Sequence, residues 1–437
     1  MVGQDIIKLF MFKNIFLVNH KVMKKFVKSA YLKYFLVVVM IVVCGISLSG
    51  CAKGVLGYHI KNMPTKIVYQ IGEEVKFDGL AIETINIDGT HNTLRFSSDN
   101  IKPVDTSTAG KKRVVIEKNN ITVSFDVYVA NVVVNDSDNI KDIFAGLNNG
   151  DIVYMRKGNY VAKDATDTSL KDIIINKSVT IVGDGKSNTI FGGNFVVGAN
   201  FDGSVLTKIE NFKDVLFLNL GFKLNYDVKN NFVQYQGPYG TTDTFGAVRC
   251  VDMQNLSFLN CSFEGYGYAI FAETISGLSV NNCEFRHIFK NAIKTTKNTK
   301  NTSIFKNAFM DIGTNVVSFD DEKQSQIGAL FLSFADEGEC GVSVCKNVFV
   351  RVAQHTGDVV YFDENSKTQA KASTTSLFKM SYISNSAVIT LLSSTTDDLA
   401  VKGIVLGSNN YSDNLQILYL GANGSNTINQ ASIISIE

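Results

Sequence analysis

The chain has 437 residues, 45% of them hydrophobic, which is enough apolar material for two or more domains and excludes a disordered tail. Its formal charge of +1 hides an asymmetry: the 50 residues before Cys51 hold seven lysines and one aspartate, so 40 acidic residues outnumber 35 basic ones from Cys51 onward. That balance lacks the basic face that phosphate neutralisation requires, and it excludes a nucleic-acid partner. Three prolines, no tryptophan, and plentiful Asn, Ile, Val and Phe favour β-structure with Asn-rich turns over helices.

Near the N-terminus Lys24, Lys25, Lys28 and Lys33 precede an apolar run from Tyr34 to Leu48, shorter than the roughly 20 residues that span a bilayer. It reads as the hydrophobic region of an export signal. At its end Leu48, Ser49, Gly50 and Cys51 resemble the lipobox of bacterial lipoproteins. The resemblance implies cleavage before Cys51, a diacylglyceryl group on its thiol, and extracytoplasmic attachment to a bacterial membrane, at the cell surface or on the periplasmic side. Two acyl chains, at about 0.8 kcal/mol per buried CH₂, are enough for stable anchoring. Residues 1–50 are thus the expected signal peptide, with Met23 as its natural start, and 51–63 a lipidated N-terminus and linker. The competing reading is an uncleaved single-pass helix.

From Pro64 to Val129 short runs alternate apolar and polar residues, as in Val75 and Phe77, Val114 and Ile116, and Ile121, Val123, Phe125, Val127 and Val129. Turn pairs such as Ile71-Gly72, Asp78-Gly79 and Asp88-Gly89 separate them, which predicts a small β-sandwich. With Pro64-Thr65-Lys66, Tyr69, Gly72-Glu73, Phe77 and Asp88-Gly89-Thr90, the segment 64–130 resembles a bacterial Ig-like domain. The resemblance implies a spacer or adhesive module without catalytic residues.

A short helix is predicted over Ile140 to Leu147, before Ile173-Ile174-Ile175 and Thr180-Ile181-Val182-Gly183. This opening is similar to the first coils of right-handed parallel β-helices of the pectate-lyase-like superfamily. Beyond it the chain repeats. Leu216–Phe222, Leu256–Phe263, Leu278–Phe285, Thr302–Phe309 and Val342–Phe349 share alternating apolar residues, an Asn turn and a closing Phe. Phe263 to Phe285 is 22 residues and Phe285 to Phe309 is 24, one coil each. The intervals of 41 from Phe222 to Phe263 and 40 from Phe309 to Phe349 hold either two coils or one coil with a long loop. One coil cannot bury its apolar side alone, so stacking is required. The fold class is therefore all-β: an Ig-like sandwich, then a right-handed parallel β-helix over 131–437 whose tail after Ser373 completes and caps the solenoid.

Within the repeats Asn219, Asn260 and Asn282 stand three residues before the Phe and predict a hydrogen-bonded ladder, which shifts or breaks where Asn307 and Asn347 stand two before it. Cys261 and Cys283 hold equivalent positions and read as stacked core thiols. With Cys250, Cys340 and Cys345 they make an odd five, so no complete disulfide framework exists, and a Cys340–Cys345 bridge stays open.

Fold alone does not assign chemistry. Hydrolysis of a glycosidic bond needs two carboxylates flanking the sugar; Asp320-Asp321 begins a polar stretch and reads as a solvated loop. A lyase acting on an acidic polysaccharide needs a basic group and a means of neutralising the sugar carboxylate, often Ca²⁺. Glu284, Arg286, His287, Lys290 and Lys294, with Glu273 one coil earlier, form the densest mixed-charge group, and ordinary surface pairing is the better account of them. Tyr235, Tyr239, Tyr266 and Tyr268 are expected to be exposed for stacking on sugar rings, in a binding protein for polysaccharide or another cell-surface ligand, with tyrosines that merely pack their loops as an equal alternative. No Gly-rich phosphate loop or nucleophile elbow is present. The histidines at 20, 59, 91, 287 and 355 stand apart in sequence, and no metal site is expected. The protein is expected to be a monomer held at the membrane only by its lipid.

Overall fold

The computed structural model describes residues 55–118, 121–163, 167–201, 206–224, 226–229, 232–235, 246–288, 290–313, 316–318, 327–336, 338–353, 359–363, 368–372, 387–393, 401–412, 414, 417–422 and 433–436. The lipobox, Tyr239 and the Asp320-Asp321 pair lie outside the described residues. The chain divides into two compact units. In the smaller, Val55–Asn62, Ala81–Asn86 and His91–Leu94 form an antiparallel sheet with Ala81–Asn86 in the middle. Val55–Asn62 is a strand within the stretch expected as linker. Among the described residues no helix is long and apolar enough to cross a membrane.

A further three-stranded sheet has the order Val68–Gln70, Ile121–Ala130, Gly110–Lys118. Alternation buries Val114, Ile116, Val123, Phe125 and Val127, as the period-2 pattern dictates. The helix Ile140–Ala145 then starts at Asn139, whose side chain accepts from the Asp142 amide, and buries Ile140 and Phe144. The Phe144 ring lies 5.2 Å from that of Phe195, against the core of the first coils.

After the helix the chain winds into the expected parallel β-helix, built as three ladders visited in turn by each coil. The first ladder runs through Ile152–Met155, Thr180–Gly183, Lys213–Leu218, the second half of Gly246–Leu259, Ser279–Asn281, Ser303–Phe305, Gly338–Cys345, Val401–Gly407 and Ile433–Ile436. The second comprises Gly158–Val161, Thr189–Gly192, Gly221–Lys223, Ser262–Glu264, Glu284–Arg286, Ala308–Ile312, Val348–Val352 and Asn410–Ser412. The third comprises Ile173–Ile175, Phe195–Val197, the first half of Gly246–Leu259, Tyr268–Ser276, Asn291–Lys300, Gly328–Phe334, Ile389–Ser393 and Leu418–Ala422. The tail thus adds strands to all three ladders. Phe222 pairs directly with Phe263, and Phe309 with Phe349, so each long interval is one coil carrying an insertion.

The second ladder drives a column of rings into the core. Phe222, Phe263, Phe285, Phe309, Phe349 and Tyr411 stack with centroids 4.7, 5.0, 4.6, 4.8 and 5.3 Å apart and planes within 9° of parallel. Each contact adds about 0.5–1.5 kcal/mol beyond the burial of the rings. Just before this ladder the chain turns through left-handed residues: Asn219 (φ 56°), Asn260 (53°), Asn282 (55°), Lys306 (56°) and Lys346 (57°). Asn tolerates that region best. Asn260 Nδ2 donates to Asn219 Oδ1 at 2.7 Å and Asn282 Nδ2 to Asn260 Oδ1 at 3.2 Å, which is the expected ladder.

The later asparagines form a second ladder one column inward. Asn307 Nδ2 donates to Asn347 Oδ1 (3.0 Å) and Asn347 Nδ2 to Asn409 Oδ1 (3.1 Å), while the Asn307 and Asn347 amides bind the same oxygens at 2.9 Å. Cys261 and Cys283 continue that inner column, both buried. All five described cysteines are free. Cys340 and Cys345 sit on one strand, about 16 Å of extended chain apart, far beyond the roughly 4–7 Å between disulfide-bonded Cα atoms.

Candidate functional site

Three insertions leave the solenoid at one corner, between the second and third ladders. The first carries the hairpin Tyr226–Lys229/Phe232–Tyr235. The second carries Val316–Ser318, which pairs with Val359–Asp363 of the third insertion, itself paired with Thr368–Ala372. Insertions at one corner of successive repeats build a shared surface. Tyr235 therefore lies at the end of a hairpin on this corner, opposite Tyr226.

The third ladder starts at the same corner, and its register sets one row that faces away from the core, in which Phe271, Phe331 and Thr390 are nonetheless buried. Val248, Ile270, Ile293, Leu330 and Ile389 point into the core. The next residues on each strand, Arg249, Phe271, Lys294, Phe331 and Thr390, therefore face the other way and stack beside one another. Cations and rings alternate along it. Lys294 Nζ stands 5.1 Å from the Tyr268 ring centroid and 5.3 Å from that of Phe331, and it donates to the Tyr268 hydroxyl at 3.3 Å. Lys290 Nζ lies 5.8 Å from the same Tyr268 ring, and the Tyr268 and Phe271 centroids are 5.3 Å apart.

Each ammonium over a ring is stabilised by the ring quadrupole, by about 0.5–1 kcal/mol when exposed and about 2 kcal/mol when desolvated. Lys290 is only 8% exposed, toward the desolvated end of that range. Arg249 Nε is buried and has no hydrogen-bond partner among the described residues. A buried guanidinium nitrogen in that state favours an acceptor brought by a ligand. Arg249, Phe271 and Phe331 gave no signal in the sequence, because only the register places them beside Lys294.

The predicted mixed-charge group is split between two faces. Glu284 and Arg286 flank inward Phe285 on the second ladder, where Glu284 binds Lys186 Nζ at 2.6 Å and Arg286 Nη2 at 3.6 Å. His287 (φ 49°) then turns the chain, which delivers Lys290 and Lys294 to the third ladder. Glu264, beside Arg286 in the second ladder, is held by Lys223 at 3.2 Å, and Glu273 by Lys297 at 2.5 Å. These carboxylates are the surface pairs the sequence allowed for.

Two of the tyrosines expected to be exposed are buried. Tyr266 is fully enclosed, and its hydroxyl donates to the Gly193 carbonyl at 2.8 Å and that of Phe191 at 3.3 Å. A buried tyrosine needs such a partner, and stacking on a sugar from that position is ruled out. Tyr268 is likewise fully buried, with lysines over its ring, so it positions cations. Of the histidines expected to stand apart, His59 and His91 meet at Glu83 in the smaller unit, at 3.7 and 3.6 Å, because the antiparallel register joins strands that the sequence separates.

Residues 63–129 match the bacterial Ig-like domain (group 3) family, close to the expected 64–130. No curated protein matches the chain. Among solved structures it is similar to the catalytic unit of a thermostable GH87 α-1,3-glucanase from Streptomyces thermodiastaticus strain HF3-3, with 11% identity over 82% of this chain and 69% of that one and a TM-score of 0.21. It is also similar to a family 28 exopolygalacturonase from Yersinia enterocolitica, with 7% identity over 82% and 83% and a TM-score of 0.25. Likenesses of that strength carry no argument, and the parallel β-helix stands on its own strand pairings.

Proposed function

We propose that this chain is a bacterial lipoprotein, anchored through Cys51 outside the cytoplasmic membrane, whose β-helix binds an acidic polysaccharide. The observation that carries this reading is the row Arg249, Phe271, Lys294 and Phe331 with Lys290 and Tyr268, flanked by three insertions. Cations held by aromatic rings offer charge to carboxylates or sulfates and keep the basic side chains ordered before binding.

Binding to polygalacturonate, alginate and heparin, measured by calorimetry, tests it. Replacing Arg249 and Lys294 by Ala together should weaken binding at least about tenfold, equivalent to about 1.4 kcal/mol, and flatten its salt dependence. Unchanged affinity in that variant, or equal affinity for a neutral glucan, would overturn the reading. A rise in ultraviolet absorbance from unsaturated sugar ends would assign a lyase instead, with Lys290 or Lys294 as base candidates and Ca²⁺ as a candidate cofactor.

A further inference from the structure

The smaller unit carries a constellation that polysaccharide binding does not use. In its sheet His59 pairs with Glu83 and His91 with Ile85. Residues 83 and 85 share a face, so His59 lies directly across from Glu83 and His91 lies diagonally across on the same face. His59 Nε2 is 3.7 Å and His91 Nδ1 3.6 Å from Glu83 Oε2. The two imidazoles meet edge to face with centroids 5.7 Å apart, and the three ligating atoms all lie within 4.8 Å of one another.

Those separations are near what a small cation requires. Ligands about 2.0–2.1 Å from a tetrahedral zinc ion stand roughly 3.4 Å apart. The two histidine-to-carboxylate edges therefore need to contract by only a few tenths of an ångström. The third edge closes by rotation of imidazoles whose side chains are 42% and 49% exposed. Lys61 Nζ binds the other carboxylate oxygen, Oε1, at 2.6 Å, which orients Oε2 toward the histidines.

We infer that His59, Glu83 and His91 bind a divalent transition-metal ion of the zinc, copper or nickel class. Two imidazoles and one carboxylate select these cations over calcium and magnesium, which take oxygen ligands. Three protein ligands on an open sheet face leave a coordination position for water or a fourth donor. The nearby Lys61 ammonium opposes the cation, so the site is one of moderate affinity.

The test is calorimetric titration of the full chain with Zn²⁺, Cu²⁺, Ni²⁺ and Ca²⁺, alongside His59→Ala, His91→Ala, Glu83→Gln and the control His287→Ala. One equivalent of Zn²⁺ or Cu²⁺ should bind and Ca²⁺ should not. Each of the first three variants should weaken binding at least tenfold, and the control should match the parent. Lys61→Ala should tighten it by removing the competing charge. Because His59 and His91 are 42% and 49% exposed and Glu83→Gln keeps the shape of the partly buried Glu83 side chain, circular dichroism of each variant should match the parent, which separates lost ligation from lost fold. Binding that persists unchanged in the His59→Ala/His91→Ala double variant, or that is absent from the parent at millimolar Zn²⁺, would overturn the inference.

Discussion

Cys261 and Cys283 illustrate how much a repeat position tells about a single residue. Their equivalence within the repeat placed them as stacked core thiols, and they are buried one above the other, with the Cys261 amide 3.4 Å from Cys283 Sγ. Burial pushes the thiols of Cys250 and Cys261 far up, and alkylation needs the thiolate. In the native chain near pH 8, iodoacetamide should therefore modify half-buried Cys345 first and spare Cys250, Cys261 and Cys283 until denaturant is added, as read by peptide mass spectrometry. Early modification of Cys261 would contradict the buried column. Tyr266 shows the opposite case. Its hydroxyl is satisfied by carbonyls 73 and 75 residues away, and nothing near Tyr266 in the sequence announces them.

At the scale of the element, the asparagines divide by one residue of spacing into two ladders with different energetic weight. Asn347 is buried and accepts from the Asn307 amide and side chain while donating to Ile304 O at 2.9 Å and to Asn409. Removing it leaves buried donors and acceptors stranded at about 1–3 kcal/mol each. Asn347→Ala should thus cost about 3 kcal/mol or more in urea denaturation, whereas Asn282→Gly, which keeps the left-handed turn (φ 55°) and loses only one exposed 3.2 Å bond, should cost about 1 kcal/mol or less. Equal costs would mean that the inner ladder does not support the fold. The change of spacing was legible in the sequence; the inward turn of the second set was not, because it depends on where the coil above places its carbonyls. Gly328 behaves similarly: an added Cβ would stand 1.7 Å from the Ala387 carbonyl, so Gly328→Ala should lower the melting temperature by pushing two coils apart.

For the whole molecule, the proposed anchor makes a direct prediction: Cys51→Ala should abolish lipid labelling and move the protein from the membrane to the soluble fraction on cell fractionation. Retention in the membrane would favour the uncleaved helix.

The sequence alone determined the solenoid and the Ig-like segment. Repeated Phe residues 22 and 24 apart have an apolar side that only stacking can bury, and regular alternation specifies strands whatever their partners. It left open whether the 41- and 40-residue intervals held one coil or two. Tertiary structure decided that, together with the separation of Glu284 and Arg286 from Lys290 and Lys294, the assembly of Arg249, Lys294 and their rings, and the meeting of His59 and His91 at Glu83. The physical reason is common to all of these. Local pattern determines which way a side chain points from its own strand, but its neighbours across the strand are set by hydrogen-bond register between segments far apart in the chain.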